Sequence, residues 1–502
     1  MAIRAIIATT NTTTIDAPGV SKPTSTPNSV FVSGAPASGP AVSFEQASFG
    51  LFLIVLAWAP FPLGSNRPWS WSLLCFLIGL CWLLWLASVW AKPQAVVGLS
   101  RGLIGPFVLA ALALCWGVVQ VVPFVPQAWT HPVWQLADGV LGTHTSAAIS
   151  LNPWRTETEL MKLVTYAMAA WLARTYASRT DRAQFLLNAL VCIGAFYAAY
   201  ALVMASLGTP QFNIFYAAPA TTHDVSGPFV NHNSYATYAG LATLCAGVRL
   251  VEAGWVSVSA AKGLRRFALT LLQYLFGRGV PYLIAAALAL STLIATGSRA
   301  GNFAALAGMV SLLVFSFALG LRQSRMRWVA SVSLAIFAGV AVLFAINGEN
   351  LAARFDDMAA SGLRDDTRLM LWNTALRMIH DAPLLGLGLG TYQNAYPMYS
   401  DVMMHFIMDR THNDYLELAA GWGLPAAILW WSSLTWLALL CVRGIFVRRR
   451  NRVYSMLAIG ASVLVGVHSV FDFSLQMPAI ALTYAVILGL GVAQAFPTRS
   501  GA

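Results

Sequence analysis

The sequence predicts an all-α fold, namely a polytopic membrane helical bundle of about 12 transmembrane helices with a large, partly helical loop on the outer side. Of the 502 residues, 58% are hydrophobic and only 10% are charged, whereas soluble domains carry about 25% charged residues. Apolar runs of about 20 residues, the length of a helix that crosses a bilayer, recur along the chain. These runs lack the two-residue alternation of a membrane barrel strand, so they are predicted to be helices.

The chain divides into four predicted regions. Residues 1–45 are rich in Thr, Ser, Pro and Ala and lack the apolar core of a signal peptide, which predicts a disordered cytoplasmic tail. Residues 46–346 are predicted to hold transmembrane helices 1–9, residues 347–413 the outer loop, and residues 414–497 transmembrane helices 10–12. The predicted spans are 47–65, 71–91, 102–122, 158–177, 184–207, 233–253, 280–297, 301–321, 328–346, 414–441, 453–471 and 478–496.

The distribution of charge predicts the orientation of these helices. With the N-terminus inside, most of the 30 Lys and Arg residues fall in inner segments, and most of the 19 Asp and Glu residues fall in outer segments. Basic loops favour the cytoplasmic side, so both termini are predicted to be cytoplasmic. The net charge of +11 is spread over short clusters between spans. It therefore indicates a membrane lipid environment and no nucleic-acid partner.

Arg299 lies in the turn TGSRAG, at the predicted outer interface between two apolar helices. A guanidinium at that depth is costly unless it is paired, which indicates a functional site. The glycines at 297 and 301 would let a charged head group approach the backbone closely. The alternative is an arginine that only extends its charged end to the interface.

The outer loop contains a predicted amphipathic helix over residues 365–380, capped by Asp365 or Asp366. Arg364 and Arg368 are four residues apart and so share one face, as a pair able to bind a doubly charged anion. The alternative is that both are solvated and pair with the neighbouring aspartates. The apolar face of this helix is predicted to rest on the membrane or the bundle through Leu369, Trp372, Ala375, Leu376 and Ile379.

His412 is predicted to open the span that follows the loop. The positive end of a helix dipole disfavours imidazolium, and a neutral imidazole is what a general base requires. One of the polar residues just after it, Asn413, Asp414 or Glu417, could orient the ring. The alternative is a histidine that only caps the helix or is solvated.

Other polar residues also lie at the predicted outer ends of spans. Asn231 and His232 open one span, and His468 and Asp472 close another, where their four-residue spacing allows a hydrogen bond along one helix face. His223, Asp224, His232 and His412 match no zinc-site spacing, so no metal and no other cofactor is expected. The GLGLG run at 386–390 has no preceding strand and no following lysine, which favours a flexible turn over a nucleotide loop.

Several motifs together resemble one family. The segments SGPFVNHNSYATYAGL, TGSRAG, DDTRLMLWNTALRMIHDAPLLGLGLGTYQNAYP, HNDYLELAAGWGLPAAIL and HSVFDFSLQMP occur in this order. They resemble the O-antigen ligase and O-antigen polymerase superfamily over residues 50–485. The central block, R-x3-W followed by D-x-P-L-x-G-x-G and H-N-x-Y-L, is the most specific part.

The resemblance implies a bacterial inner-membrane glycosyltransferase that is multi-pass and has its active site facing the periplasm. Its donor would be an undecaprenyl-diphosphate-linked glycan and its acceptor a hydroxyl of a glycan or of the lipid A core. The family is metal-independent and inverting. Its two key arginines and its histidine correspond to Arg299, Arg368 and His412, whereas Arg364 has less support from the motif. The sequence Asn-His-Asn at 231–233 departs from members with a central arginine, which leaves the role of His232 open.

The exact reaction stays open at this point. A ligase, a polymerase of O-antigen or exopolysaccharide, and a protein O-oligosaccharyltransferase share the donor chemistry and differ in acceptor. A non-catalytic lipid-glycan transporter is the alternative of a different class. It is less favoured because transporters place charges at the bilayer midplane and show repeats, whereas the charges here gather at one face.

Overall fold

The computed structural model describes residues 40–93, 100–142, 147–208, 224–258, 263–322, 363–400, 409–448 and 450–496. These residues form helices, turns and connecting segments, with no β-strand among them. The α-helices, numbered α1 to α16 in chain order, are Pro40–Trp58, Pro68–Ala91, Ile104–Val121, Val133–Leu141, Pro153–Tyr176, Thr180–Ser206, His232–Val258, Leu264–Leu275, Val280–Ala295, Arg299–Arg322, Leu363–Asp381, Tyr392–Tyr399, Asp414–Trp422, Leu424–Val447, Arg452–His468 and Pro478–Ala493.

The all-α prediction is confirmed, and each predicted span within the described residues overlaps a helix. The predicted span 328–346 and residues 1–39 of the predicted tail lie outside the described residues. Helix α1 begins at Pro40, inside the region predicted to be tail. The predicted span 414–441 consists of two helices, because Gly423 breaks the helix with a φ of 80°.

Within the described residues, five helices are long and apolar enough to cross a membrane: Pro68–Ala91, Arg101–Val121, Thr180–Ser206, Arg299–Leu319 and Leu424–Val447. The pair α8 and α9 would add a sixth span, although the two helices are bent by 72°. Helices α15 and α16 are apolar but only 17 and 16 residues long. The chain is therefore a multi-pass membrane protein, and the count of about 12 spans stays a prediction.

Small residues let the central helices approach closely, as is common in membrane bundles. A Cβ at Gly301 would lie 2.4 Å from the Cβ of Ala236, and a Cβ at Gly491 would lie 2.3 Å from that of Ala458. Helix α16 lies at the centre, since nearly all of its residues are buried. This packing brings the ends of α7, α10, α15 and α16 together on one side of the bundle.

Helices α11 and α12 pack on α13 through a small separate core. Leu371, Ala375 and Met378 of α11 are 2%, 0% and 0% exposed. The predicted helix is confirmed. Ala375 is buried as expected, whereas Leu369 and Leu376 are 54% and 50% exposed on the protein surface, where their contact with the membrane stays a prediction. The helix turns its 371, 375 and 378 positions inward, because these are the positions that contact α12 and α13.

The GLGLG segment is a turn, but it is packed and not loose. Leu387 and Leu389 are each 3% exposed, and their backbone N–H groups donate to Ala420 O and Gln120 Oε1. A Cβ at Gly388, where φ is 105°, would lie 2.2 Å from the Oγ of Ser150. The glycine is needed here for space as well as for conformation. The turn thereby fixes the outer segment against α3 and α13.

Candidate active site

His412 and Asp472 form the central contact of the site. The Nδ1 atom of His412 lies 3.0 Å from the Oδ1 atom of Asp472. The His412 side chain is 32% exposed, whereas the Asp472 side chain is 1% exposed. The imidazole also packs edge-on against Phe473, with ring centroids 4.9 Å apart. The ring is thus held on one side by a buried carboxylate and is open to solvent on the other.

The carboxylate of Asp472 is held in its ionised form. Burial by itself raises the pKa of Asp472, but the hydrogen bond from His412, the charges of His468 and His412, and the N–H of Phe473 outweigh burial and lower it. An ionised carboxylate can only accept, so the Nδ1–H of His412 donates to it. In the neutral ring this tautomer leaves the lone pair on Nε2, which is the arrangement that a proton acceptor requires.

Residues Asn413, Asp414 and Glu417, which the sequence offered as partners of the ring, stabilise the surrounding backbone. Asn413 caps α13 by accepting the N–H of Leu416 at 3.0 Å. The Asp414 carboxylate accepts hydrogen bonds at 2.8 to 3.1 Å from Ser469 Oγ, the N–H of Leu475 and Gln476 Nε2. The Glu417 carboxylate accepts from Arg410 Nη1 at 2.9 Å and from Thr411 N and Oγ1. The acid that contacts the ring is therefore Asp472.

These contacts also explain the backbone of His412. Its φ is 55°, in the left-handed region that residues other than glycine rarely adopt. The hydrogen bonds of Glu417 to the preceding residue Thr411 and the cap made by the following residue Asn413 fix the chain on both sides. Such conformations persist where the surrounding structure determines them, and they are common at functional sites.

His468 lies directly behind this pair and is fully buried. Helix α15 ends at His468, and the N–H of Asp472 donates to the carbonyl of His468 at 2.9 Å. The Asp472 carboxylate is turned to His412, so the side-chain hydrogen bond expected between His468 and Asp472 does not form. The Nδ1 atom of His468 contacts Ser474 Oγ and lies 3.1 Å from Thr237 Oγ1.

A buried chain of hydrogen bonds continues from His468 towards the Arg299 turn. The Thr237 hydroxyl donates to the carbonyl of Asn233 at 3.3 Å. The Ser298 hydroxyl donates to Asn233 Oδ1 at 2.7 Å and accepts the N–H of Gly301 at 3.1 Å. Because Arg299 follows Ser298 directly, this chain links the His412 side of the site to the turn that carries Arg299.

The two predicted arginines of the site have different relations to this cluster. Arg299 is the first residue of α10 and is half-buried. Arg368 is half-buried on α11 and is close enough to His468 for their charges to interact. Arg368 thus lies near His468, and Ser298, the residue before Arg299, belongs to the hydrogen-bond chain that begins at His468. The side chain of Arg364 lies outside the described residues.

Residues 284–431 match the family model described as O-antigen ligase. This segment is similar to the O-antigen ligase family. A search of curated proteins found no match. The match supports, at the family level, a membrane glycosyltransferase of the O-antigen ligase and polymerase type, and the multi-pass helices agree with this. The matched segment includes Arg299, Arg368 and His412, whereas Asp472 lies beyond it.

The O-antigen ligase resemblance left the role of His232 open, and the structure pairs His232 with Asp224. Its Nδ1 atom lies 3.5 Å from Asp224 Oδ2. Asn231 caps α7 by accepting the N–H of Ser234 at 2.8 Å. It is their neighbour Asn233 that joins the hydrogen-bond chain to Ser298. His223, one of the metal candidates, lies outside the described residues, and no group of three His, Cys, Asp or Glu side chains in the described ranges could hold a metal.

The contact between His412 and Asp472 was not predicted from the sequence. The two residues are separated by 60 positions, so no helical spacing relates them. The usable signal was the HSVFDFS motif, whose aspartate follows a helix end at the predicted outer side. A second polar helix end on the same side as His412 made Asp472 a candidate, but only folding brings the two together.

Proposed function

We propose that this protein is an inner-membrane glycosyltransferase that moves a glycan from undecaprenyl diphosphate to an acceptor hydroxyl on the periplasmic side. The observation that supports it best is the exposed imidazole of His412 held by the buried carboxylate of Asp472. A ring held in this way, within a segment that matches the O-antigen ligase family, suits a base that must accept a proton from an alcohol.

In the proposed reaction, the Nε2 atom of His412 takes the proton of the acceptor hydroxyl. The hydroxyl oxygen bonds to the anomeric carbon of the donor sugar as the bond from that carbon to the diphosphate oxygen breaks. The electron pair of the broken bond leaves with undecaprenyl diphosphate. Attack from the face opposite the diphosphate inverts the configuration. Asp472 stays ionised and stabilises the imidazolium that forms.

Arginines are proposed to neutralise the leaving group. A guanidinium is always charged and can hold two oxygens of a phosphate at once. Charges placed where negative charge develops lower the barrier directly. Arg299 and Arg368 are the proposed ligands of the diphosphate, and Arg364 is four residues before Arg368 on the same helix. With these charges the proposed reaction requires no metal or other cofactor.

The proposed site uses both the outer loop and the membrane domains. We place the cytoplasmic tail at residues 1–45, transmembrane helices 1–9 at 46–346, the periplasmic catalytic loop at 347–413 and transmembrane helices 10–12 at 414–497. Asp472 and Arg299 lie outside the loop, so the catalytic loop would be incomplete without the helix ends of the membrane domain. Such sharing suits a donor whose lipid stays in the bilayer while its sugar reacts outside.

Among possible acceptors we rank a lipid A core glycan first, which makes the enzyme ligase-like. A polymerase of O-antigen or exopolysaccharide is the alternative, and a protein O-oligosaccharyltransferase comes third. The glycan profile of a deletion strain separates them. Unlinked long chains identify a ligase, single repeat units on lipid identify a polymerase, and an unmodified glycoprotein identifies the third.

The transfer reaction is tested with purified protein in vesicles that contain an undecaprenyl-diphosphate glycan and an acceptor. We expect release of undecaprenyl diphosphate together with glycosylated acceptor. Intact donor in both leaflets, with no diphosphate released, would contradict transfer and instead identify a transporter of the lipid-linked glycan.

A further inference from the structure

An apolar cavity of about 140 Å³ lies inside the bundle, apart from the Arg299 turn. It is bounded by α3, α5, α14 and α16, and its walls are formed almost entirely by apolar side chains such as Leu163, Ala170, Leu434 and Leu488. Apolar cavities of this size stay dry and accept apolar molecules. Phe107 lines the cavity and is 37% exposed, so the cavity reaches the outer surface of the helix bundle.

The cavity is elongated along the helix axes. On α5 it extends from Leu163 to Arg174, and on α16 from Ala481 to Val492. Each of these stretches corresponds to about 17 Å at the rise of an α-helix. One leaflet has about half of the 30 Å hydrocarbon thickness of a bilayer. The cavity therefore has the length of a single lipid chain in one leaflet.

The two ends of the cavity differ in charge. Arg174 lines one end, and its guanidinium lies 5.0 Å from the ring centroid of Trp171. The charge pattern of the sequence places this end on the cytoplasmic side. At the other end, Leu163, Tyr166, Trp430 and Leu475 also line a second chamber. The carboxyl groups of Glu159, Asp414 and Glu417 line this chamber. Glu159 pairs with Lys162 at 2.8 Å and Glu417 with Arg410 at 2.9 Å.

This polarity decides which lipid fits. A diphosphate at the outer end would have to compete with the carboxylates of Glu159 and Glu417 for their partners Lys162 and Arg410, so the lipid-linked donor is disfavoured there. A phosphate at the inner end would meet Arg174, whose guanidinium is a good phosphate ligand. We propose that the cavity holds one acyl chain of an anionic phospholipid from the cytoplasmic leaflet, with its head group at Arg174.

The proposal concerns lipid binding and does not depend on glycan transfer. The test uses purified full-length protein equilibrated with vesicles of equal phosphatidylglycerol and phosphatidylcholine, followed by native mass spectrometry of the retained lipid. We expect one retained phosphatidylglycerol per protein. Ala110→Phe fills the cavity and should lower this occupancy by about tenfold. Val108→Phe adds the same ring two residues away, at a position that is 49% exposed and does not line the cavity, and should leave the occupancy unchanged.

Arg174→Gln tests the head-group contact. It should reduce the preference for phosphatidylglycerol over phosphatidylcholine to near unity while a lipid is still retained. If Ala110→Phe does not give monodisperse protein, Ala485→Leu fills the same cavity with a smaller side chain. Equal lipid occupancy in the wild-type protein and in a folded cavity-filling variant would overturn the proposal. The proposal would also fail if the wild-type protein retained no lipid, or if it retained phosphatidylglycerol and phosphatidylcholine equally.

Discussion

The Nδ1 atom of His412 lies 3.0 Å from the Oδ1 atom of Asp472, although 60 positions separate the two residues. The contact joins the end of the outer loop to the segment that follows α15. It occupies the Nδ1 atom of His412, so Nε2 is the ring nitrogen available to a substrate.

His412→Ala should lower the rate of glycan transfer by about 10²–10⁴-fold, because a positioned general base contributes a factor of that size. The rate is measured as release of undecaprenyl diphosphate in reconstituted vesicles. His380→Ala is the matched control, since the His380 side chain is 89% exposed and its Nδ1 atom lies 3.3 Å from the neighbouring Asp381. Full activity of His412→Ala would reject the base assignment but not the fold.

Asp472→Asn keeps the shape of the side chain and removes its charge. We expect a fall in kcat of about 10²-fold or more, because the amide no longer selects the Nδ1–H form of the ring or stabilises imidazolium. The KM for the donor should change little, since Asp472 is buried behind the ring. Asp381→Asn on the exposed end of α11 serves as the control. A variant that loses donor affinity instead of kcat would show that Asp472 acts in binding.

The same carboxylate predicts a pH dependence of stability. The pKa of Asp472 is lower in the folded protein than the ordinary value of about 3.9. Its stabilisation is therefore complete above that ordinary value and is lost as the pH falls through the lower, folded pKa. The difference in unfolding temperature between wild-type and Asp472→Asn should shrink at acid pH. An undiminished difference at low pH would show that the ionised carboxylate is not its source.

Arg368→Ala should lower kcat/KM for the lipid-linked donor by about 10²–10³-fold, the usual effect of removing one stabilising contact from a transition state. Arg368→Lys should recover only part of the loss, because an ammonium cannot bind two phosphate oxygens in the same way. Arg377→Ala, nine residues further along the same helix at an exposed position, is the control. Arg299→Ala should lower kcat/KM for the donor to a similar extent. If Arg368→Ala and Arg299→Ala both keep the kcat/KM of the Arg377→Ala control, the proposed anion site is refuted.

Thr237→Val tests the hydrogen-bond chain between His468 and the Arg299 turn. Removing a buried hydroxyl that contacts His468, Ser474 and Asn233 should destabilise the protein by about 1–3 kcal/mol. Thr237→Ser keeps the hydroxyl and should retain most of the stability that Thr237→Val loses. The measurement is the thermal unfolding of both variants in the same detergent. If Thr237→Val and Thr237→Ser unfold at the same temperature, the hydrogen-bond chain makes no net contribution to stability.

Much of the fold class and part of the site were predictable from the sequence. Long apolar runs determine helices in a bilayer, because every backbone polar group must be satisfied within its own segment. The break at Gly423 and the buried face of α11 were not predicted, since Leu369 and Leu371 are equally apolar and only the packing against α12 and α13 selects one of them.

By itself the sequence determined that the protein is helical and membrane-embedded, that its segment 284–431 has the O-antigen ligase pattern, and that His412 opens a helix among charged residues. Only the tertiary structure decided that Asp472 contacts His412 while Asp414 and Glu417 stabilise the backbone around it. The physical reason is that a side-chain hydrogen bond depends on which helix ends meet in space. In this protein the hydrogen bonds between Asp414 at the start of α13 and the segment that connects α15 to α16, and not the local spacing of residues, determine that meeting.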